Sequence, residues 1–164
     1  MAAAHFPSEF RFEKRRVDAI VTLSSGASTR GCFFTAGGSP RHDGPERVGD
    51  LLNGASGFFP FEVGDVVGTR TVLYNRAHVV FVTLRDHEAQ QDPGYAVATR
   101  RFVSILFSNG QRLFGSVRVR LPEGRDRLSD WARQSEAFRY VETGDATVLI
   151  NVAHIVDVSE VPEP

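Results

Sequence analysis

The sequence contains little cysteine, little lysine and no long hydrophobic run. Its single cysteine, Cys32, cannot form a disulfide within the chain and cannot supply a cysteine-rich zinc site. Its single lysine, Lys14, leaves arginine as the main basic side chain for binding phosphate. No apolar run approaches the ~20 residues needed to cross a bilayer, and the N-terminus lacks the apolar stretch of a signal peptide. We therefore expect a cytoplasmic protein without membrane insertion.

The charged residues are nearly balanced, with 19 Lys+Arg against 20 Asp+Glu and a formal net charge of −1. This balance excludes a strongly basic nucleic-acid binder, although a local basic patch remains compatible with it. Hydrophobic residues make up 41% and charged residues 24%, which is typical of globular proteins. The 164 residues suffice for one ordinary domain or two small ones.

Three sequence blocks occur twice, in the same order. Residues 71–82 (TVLYNRAHVVFV) and 147–158 (TVLINVAHIVDV) are identical at eight of twelve positions. Each has two related blocks upstream: residues 47–51 with 127–131, and residues 23–31 with 107–115. Three matching blocks in one order indicate an internal duplication.

The duplication predicts a division of the chain into two repeats. The polar stretch between the copies contains Pro93-Gly94, a turn signal, and is the expected linker. The predicted boundaries are an N-terminal tail at 1–16, repeat 1 at 17–84, a linker at 85–101, repeat 2 at 102–160 and a C-terminal tail at 161–164.

Alternating apolar residues and turn signals predict mainly β structure in each repeat. Hairpins are expected at Ser25-Gly26 and Asn109-Gly110, because glycine accepts positive φ. A short helix is expected at Pro45–Asn53 and again at Asp126–Phe138, on the spacing of apolar residues. Each repeat is therefore predicted to be a β-β-α-β-β-β unit. We expect the two tandem units to be related by a pseudo-two-fold axis, as small barrel-like or sandwich halves.

The final hairpin of each repeat carries an asparagine and a histidine at matching positions. Asn75 and Asn151 are predicted in its turn, where asparagine best accepts a left-handed conformation. His78 and His154 suggest a symmetric pair of ligands or acid–base groups, but a turn histidine bonded to the backbone is the favoured interpretation.

The repeated pattern resembles a small, uncharacterised bacterial β-domain family with the consensus "G…RLxDxLN…FxPL…VxxNKxHI". Residues that carry the resemblance in repeat 1 are Gly31, Arg47, Asp50, Leu52, Asn53, Phe59, Pro60, Phe61, Asn75, His78 and Val79. Repeat 2 keeps Gly115, Arg127, Asp130, Asn151, His154 and Ile155, and lacks the Leu-Asn and Phe-Pro elements. The resemblance implies an architecture and no particular activity.

A second, weaker resemblance is to PilZ domains, which bind cyclic di-GMP. Arg11 and Arg15 match the Arg-x-x-x-Arg element of that family. The [Asp/Asn]-x-Ser-x-x-Gly element would fall at residues 33–38, where phenylalanine replaces the acidic residue and threonine the serine. The resemblance implies contacts between these arginines and phosphate or guanine.

No residues in the sequence form a recognisable catalytic, metal or cofactor motif. There is no G-x-S-x-G element, P-loop, G-x-G-x-x-G or H-E-x-x-H. We therefore predict no enzyme activity, no catalytic residue, no metal and no cofactor.

The leading functional hypothesis is a protein–protein interaction module, an adaptor or regulator in a bacterial cytoplasm. Its candidate interaction residues are Phe59, Phe61 and Trp131, although packing between the two repeats is the favoured interpretation of these aromatic side chains. The expected partner is another protein or a second copy of the chain. The alternative is binding of a cyclic dinucleotide or RNA by a small β-barrel, through Arg11, Arg15, Arg118 and Arg120.

Overall fold

The computed structural model describes residues 14–39, 42, 44–55, 57–65, 67–92, 94–119, 122 and 124–164. Its secondary structure is mainly β, with two short helices, as the alternating sequence pattern predicts. The strands are β1 Arg15–Leu23, β2 Ser28–Thr35, β3 Phe58–Asp65, β4 Gly68–Asn75, β5 Val79–Leu84, β6 Thr99–Phe107, β7 Arg112–Val119, β8 Phe138–Glu142, β9 Thr147–Asn151 and β10 Ile155–Glu160. The helices are α1 Val48–Gly54 and α2 Leu128–Ala132, and short 3-10 turns occupy Arg76–His78, Glu88–Gln91, Tyr95–Val97 and Val152–His154.

Glycine and asparagine form the predicted turns in two different ways. Gly26 and Gly110 close the β1–β2 and β6–β7 hairpins with φ of 89° and 86°, which confirms the predicted hairpins. Asn75 and Asn151 have φ of −78° and −88°, so the predicted left-handed conformation is wrong. Each asparagine side chain instead accepts a hydrogen bond from the backbone N–H two residues later and begins a 3-10 turn.

An arginine–aspartate pair begins both helices. The carboxylate of Asp50 accepts a hydrogen bond from the Arg47 backbone N–H at 2.9 Å, and Asp130 does the same for Arg127 at 3.1 Å. This reciprocal contact satisfies a backbone donor that a helix start otherwise leaves unpaired. The Arg-x-x-Asp blocks of the sequence are therefore explained as helix starts. The second helix is shorter than predicted, because the chain leaves the helix at Arg133.

One antiparallel sheet contains all ten strands of the described residues. Its order is β10-β6-β7-β8-β9-β5-β1-β2-β3-β4, with β10 and β4 at its two open edges. The ten described strands therefore form one continuous sheet that is not closed into a barrel. The hydrogen bonds of the sheet continue directly from one half of the chain into the other.

The two halves join through strands at different positions in each half. The halves have matching strand orders, β5-β1-β2-β3-β4 and β10-β6-β7-β8-β9, and the join pairs β9 with β5. A two-fold axis would pair strands at the same position, such as β4 with β9, or would add the reciprocal pair of β4 with β10, and the order of the described strands contains neither pair. The expected two-fold relation is therefore not how the sheet is joined. An antiparallel join needs only opposed strand directions and matching apolar faces, which β9 and β5 provide.

Two hydrophobic cores lie on opposite faces of the central strands. On β9, Leu149 belongs to one core, whereas its neighbours Val148 and Ile150 belong to the other. Successive side chains of a strand point to opposite faces of the sheet. Within β5, Val82 belongs to the first core and its neighbour Phe81 packs against the second. The join is therefore covered on both faces.

The described helices are short. The longer of them, α1, has seven residues, and in the described part of the chain no helix is long and apolar enough to span a membrane.

Gly31 allows β2 and β3 to approach closely, which gives a test of the sheet packing. A Cβ atom at Gly31 would lie 2.1 Å from the Glu62 carbonyl oxygen and 2.6 Å from the Phe61 ring. We expect Gly31→Ala to lower the free energy of unfolding by about 2 kcal/mol or more, because the backbone of β3 must shift. Urea unfolding followed by circular dichroism measures this change.

Gly64→Ala is the matched control on β3, since its nearest neighbour would be the Thr69 methyl group at 3.9 Å. We expect this variant to be unchanged or more stable by a few tenths of a kcal/mol, roughly, because alanine restricts the unfolded chain. Equal destabilisation of the two variants would contradict the packing argument.

Candidate functional site

Asn151 and His154 fasten the second half of the chain to the first. The Asn151 side-chain amide donates to the carbonyl oxygens of Val79 at 2.9 Å and Arg76 at 3.3 Å. His154 Nε2 donates to the Ala77 carbonyl oxygen at 2.6 Å, since a carbonyl oxygen can only accept. Both residues therefore bind the backbone just before and at the start of β5. This agrees with the favoured interpretation of His154 as a turn histidine.

The corresponding residues of the first half have the same local contacts and lack the distant ones. Asn75 Oδ1 accepts from the Ala77 N–H at 3.0 Å, and His78 Nδ1 lies 3.2 Å from the Ser24 hydroxyl. His154 Nδ1 has the equivalent contact with the Ser108 hydroxyl at 2.7 Å. Among the described residues, neither the Asn75 amide nitrogen nor His78 Nε2 has a hydrogen-bond partner. These two donors lie next to the open edge strand β4.

Apolar side chains that are buried at the join are exposed at the open edges. Leu149 on β9 is 0% exposed, whereas the corresponding Leu73 on β4 is 63% exposed. Val80 on β5 is 0% exposed, whereas the corresponding Val156 on β10 is 63% exposed. The two open edges therefore present apolar side chains of the kind that pack at the join. We call β4 and β10, with these side chains, the edge surfaces.

Phe58 extends the β4 edge surface onto the neighbouring strand. Its side chain is 65% exposed at the start of β3, whereas the corresponding Phe138 is 4% exposed and packs into the first core beside α1. Sequence analysis missed Phe58 as a surface residue. Strand alternation could have indicated its exposure, because it places Phe58 on the face opposite to its neighbour Phe59.

The three aromatic residues predicted to bind a partner are buried. Phe59 and Phe61 are within the first core, where Phe61 packs edge-to-face on Phe33 with ring centroids 5.0 Å apart. Trp131 is buried in the second core, beneath the Arg139 guanidinium at 5.0 Å. The prediction of an interaction surface at these residues is wrong. Strand alternation places Phe59 and Phe61 on the inward face of β3, and Trp131 is the buried residue of helix α2.

Two of the predicted phosphate-binding arginines are described, and each is paired with a carboxylate. Arg118 donates to Glu142 at 3.4 Å and to the Tyr95 hydroxyl at 3.0 Å, with its guanidinium 4.1 Å from the Tyr95 ring centre. Arg15 lies 3.6 Å from the Asp86 carboxylate. The other two, Arg11 and Arg120, lie outside the described residues.

A polar cleft of about 630 Å³ lies between the two halves. Helix α1, the segment around Asp92 and Tyr95, and the strands β7 and β8 form its walls. Three of its charged or titratable groups contact one carboxylate or each other: the His42 Nε2 atom lies 2.6 Å from Asp50, and Arg47 contacts both Asp50 and Asp92. Burial alone would raise the pKa of Asp50, but hydrogen bonds from Arg47 and His42 lower it, so Asp50 is a carboxylate.

Glu88 is buried beside this cleft and connects the two halves. It accepts hydrogen bonds from the Gly49 N–H at 2.9 Å and from the Tyr140 hydroxyl at 2.6 Å. Burial raises the pKa of Glu88, and burial together with the nearby Glu88 raises the pKa of Tyr140. The phenol therefore stays protonated and acts as the donor. This arrangement holds α1 of the first half against β8 of the second.

Asn53 makes a second polar connection between the halves. Its amide nitrogen donates to the Phe138 carbonyl at 2.9 Å, and its amide oxygen accepts from the Phe138 N–H at 2.8 Å. The side chain thus pairs with β8 as a neighbouring strand would. No group of three or more His, Cys, Asp and Glu side chains among the described residues could hold a metal ion.

Comparison of the chain with protein-family models, with curated proteins and with solved structures found no match.

The raised pKa of Glu88 predicts how stability depends on pH. Because this pKa is above the ordinary value of 4.5, the folded state favours the protonated carboxyl. The stabilisation from the protonated Glu88 is fully present below pH 4.5 and is lost as the pH rises through the raised pKa. Because glutamine does not ionise, we expect Glu88→Gln to abolish this loss of stability at higher pH. The stability of the variant relative to the wild type should therefore increase as the pH rises from 4.5, as measured by urea unfolding at a series of pH values.

Tyr140→Phe is the matched control for Glu88→Gln, because it removes the hydroxyl donor while keeping the ring. Loss of that donor should raise the pKa of Glu88 further. The pH range over which the free energy of unfolding changes should then extend to higher pH. Parallel pH profiles for the wild type and Glu88→Gln would refute the assignment.

Proposed function

We propose that this protein is a non-enzymatic interaction module, an adaptor or regulator of the bacterial cytoplasm, that binds proteins through its edge surfaces. We also infer that its two halves are tandem copies of one unit. The exposure of Leu73 and Val156, against the complete burial of Leu149 and Val80, is the observation that carries the proposal.

An open edge strand supports this function for a general reason. It offers a row of unpaired N–H and C=O groups to which another extended segment can add as the next strand. Proteins that avoid such addition place charges or proline on the edge. At the centre of β4, residues 71–74 (TVLY) carry no charge and no proline, and Leu73 is exposed. The β4 edge surface is therefore suited to strand addition.

The paired state of the arginines supports binding through the edges over binding of a nucleotide. Arg118 is already bound to Glu142 and to Tyr95, and Arg15 lies beside Asp86. A phosphate ligand would have to displace these carboxylates. We therefore propose the interaction module and not a nucleotide-binding function.

Photo-crosslinking at single positions tests whether partners bind at the edges. We expect a photoreactive phenylalanine analogue in place of Leu73 or Val156 to form protein adducts in the source cell. The same analogue in place of Phe114 should not. Phe114 is equally exposed, at 63%, but lies on β7, which is paired on both sides. Adducts are separated by size and identified by mass spectrometry.

Absence of adducts at both edge positions, or equal labelling at Phe114, would count against the proposal. A variant that fails to fold is recognised by its circular dichroism spectrum before it is used.

A further inference from the structure

We propose that the partner of the β4 edge surface is the β10 edge surface of a second copy of this chain, joined as β9 joins β5. This inference rests on the proposed function and names its partner. It starts from the sheet order, in which the join between the halves uses strands at different positions.

The two open edge strands match in sequence the two strands that pair with each other at the join. Strand β4 corresponds in sequence to β9, and β10 corresponds to β5, each at an offset of 76 residues. At one end of the sheet, β4 resembles β9, which is the partner of β5. At the other end, β10 resembles β5, which is the partner of β9. A head-to-tail contact between copies would repeat a pairing that the chain already makes within itself.

The join also predicts the register of the contact. Within the chain, Val82 lies opposite Leu149 and Thr83 opposite Val148. Transfer by the same offset places Val158 of one copy opposite Leu73 of the next, and Ser159 opposite Val72. The exposed Leu73 would then occupy the position that Leu149 has in the buried join.

Two unpartnered donors fit the same contact. His154 Nε2 and the Asn151 amide bind backbone carbonyls at residues 76–79 of the first half. The corresponding donors, His78 Nε2 and the Asn75 amide nitrogen, have no partner among the described residues. In the proposed contact they face residues 152–155 of the neighbouring copy, where His78 Nε2 donates to the Ala153 carbonyl.

Apolar packing and charge agree with this arrangement. Phe138 packs beside Val48 and Leu52 of α1 at the join, so Phe58 would pack beside the corresponding Leu128 and Ala132 of the next copy. The β4 strand carries Arg70 and no acidic residue, whereas β10 carries Asp157 and Glu160. Asp157 and Glu160 lie 3.6 Å from Arg112 and 3.2 Å from Arg101 of their own chain, so charge only weakly favours β4 with β10 over β10 with itself.

Contacts of this kind leave one open edge at each end of any assembly that has not closed into a ring. Head-to-tail association therefore continues beyond the dimer, as a closed ring or an open chain. Growth beyond the dimer distinguishes this head-to-tail contact from a symmetric dimer, in which both copies use the same edge.

Variants that block one edge at a time test the proposal. Leu73→Lys blocks the β4 edge, and Val156→Lys blocks the β10 edge, since each lysine would be buried without a partner in the contact. Both positions are 63% exposed in the single chain, so the fold should tolerate the changes. Phe114→Lys, at an equally exposed position on β7, is the matched control.

Sedimentation velocity measures the result. We expect the wild type and Phe114→Lys to form assemblies larger than a dimer, and each edge variant alone to be monomeric. An equimolar mixture of the two edge variants should form one-to-one dimers and nothing larger, because the mixture contains one usable edge of each kind.

Several outcomes would overturn the inference. Association of either edge variant by itself indicates a symmetric contact, and a monomeric mixture beside an associating wild type indicates another surface. A wild type that stays monomeric throughout its soluble range also refutes self-association. In that case, crosslinking of other proteins at Leu73 and Val156 would still support the proposed function, so the two failures are distinguishable.

His78→Ala provides a second measurement that does not depend on blocking an edge. We expect association to weaken about tenfold, because the hydrogen bond of His78 Nε2 is between copies. The stability of the single chain should change little, since the contact of His78 Nδ1 with the Ser24 hydroxyl at 3.2 Å is exposed to solvent. His154→Ala should instead lower the stability of the chain, since its bond to Ala77 is internal. Unchanged association in His78→Ala would contradict the assigned contact.

Discussion

Pairing between β5 and β9 is the interaction on which the rest of the structure depends. Each half has five strands and a short helix, which is a small unit for a stable core of its own. The join covers both faces of its central strands, because the first core packs on one face and the second core on the other. Two small cores thereby share their most deeply buried strands.

Polar contacts give this join its register. A slip of two residues would keep the same side chains on each face of the sheet, so the apolar alternation alone does not set the register. The Asn151 amide binds the Val79 carbonyl, Asn53 binds the backbone of Phe138, and Tyr140 donates to the buried Glu88. Each contact connects one half with the other. A shift of the strands would leave these buried polar groups without partners, which costs more than the apolar contacts would regain.

Local features of the fold could be predicted from the sequence, and the candidate site could not. Gly26 and Gly110 mark hairpins because a positive φ is a property of the residue itself. The conformation of Asn75 escaped prediction, because its side chain had two local options, a left-handed turn or a cap on a 3-10 turn. Phe59, Phe61 and Trp131 are large aromatic residues that must be buried against something. The sequence could not show whether they are buried in a core or by a partner, because both call for the same residue types.

Local sequence is enough to specify the elements that occur twice: two hairpin glycines, two Arg-x-x-Asp helix starts and two Asn-x-x-His turns. Each depends on contacts between residues close together in the chain, so similar sequences give similar local structure. Which of the two copies is covered depends on the arrangement of the strands in the sheet. Leu149 and Leu73 stand in matching sequences, yet one is buried and the other exposed, because β9 has a neighbour on each side and β4 has one. Burial is a property of the strand's place in the sheet, and that place is set by the join between distant residues.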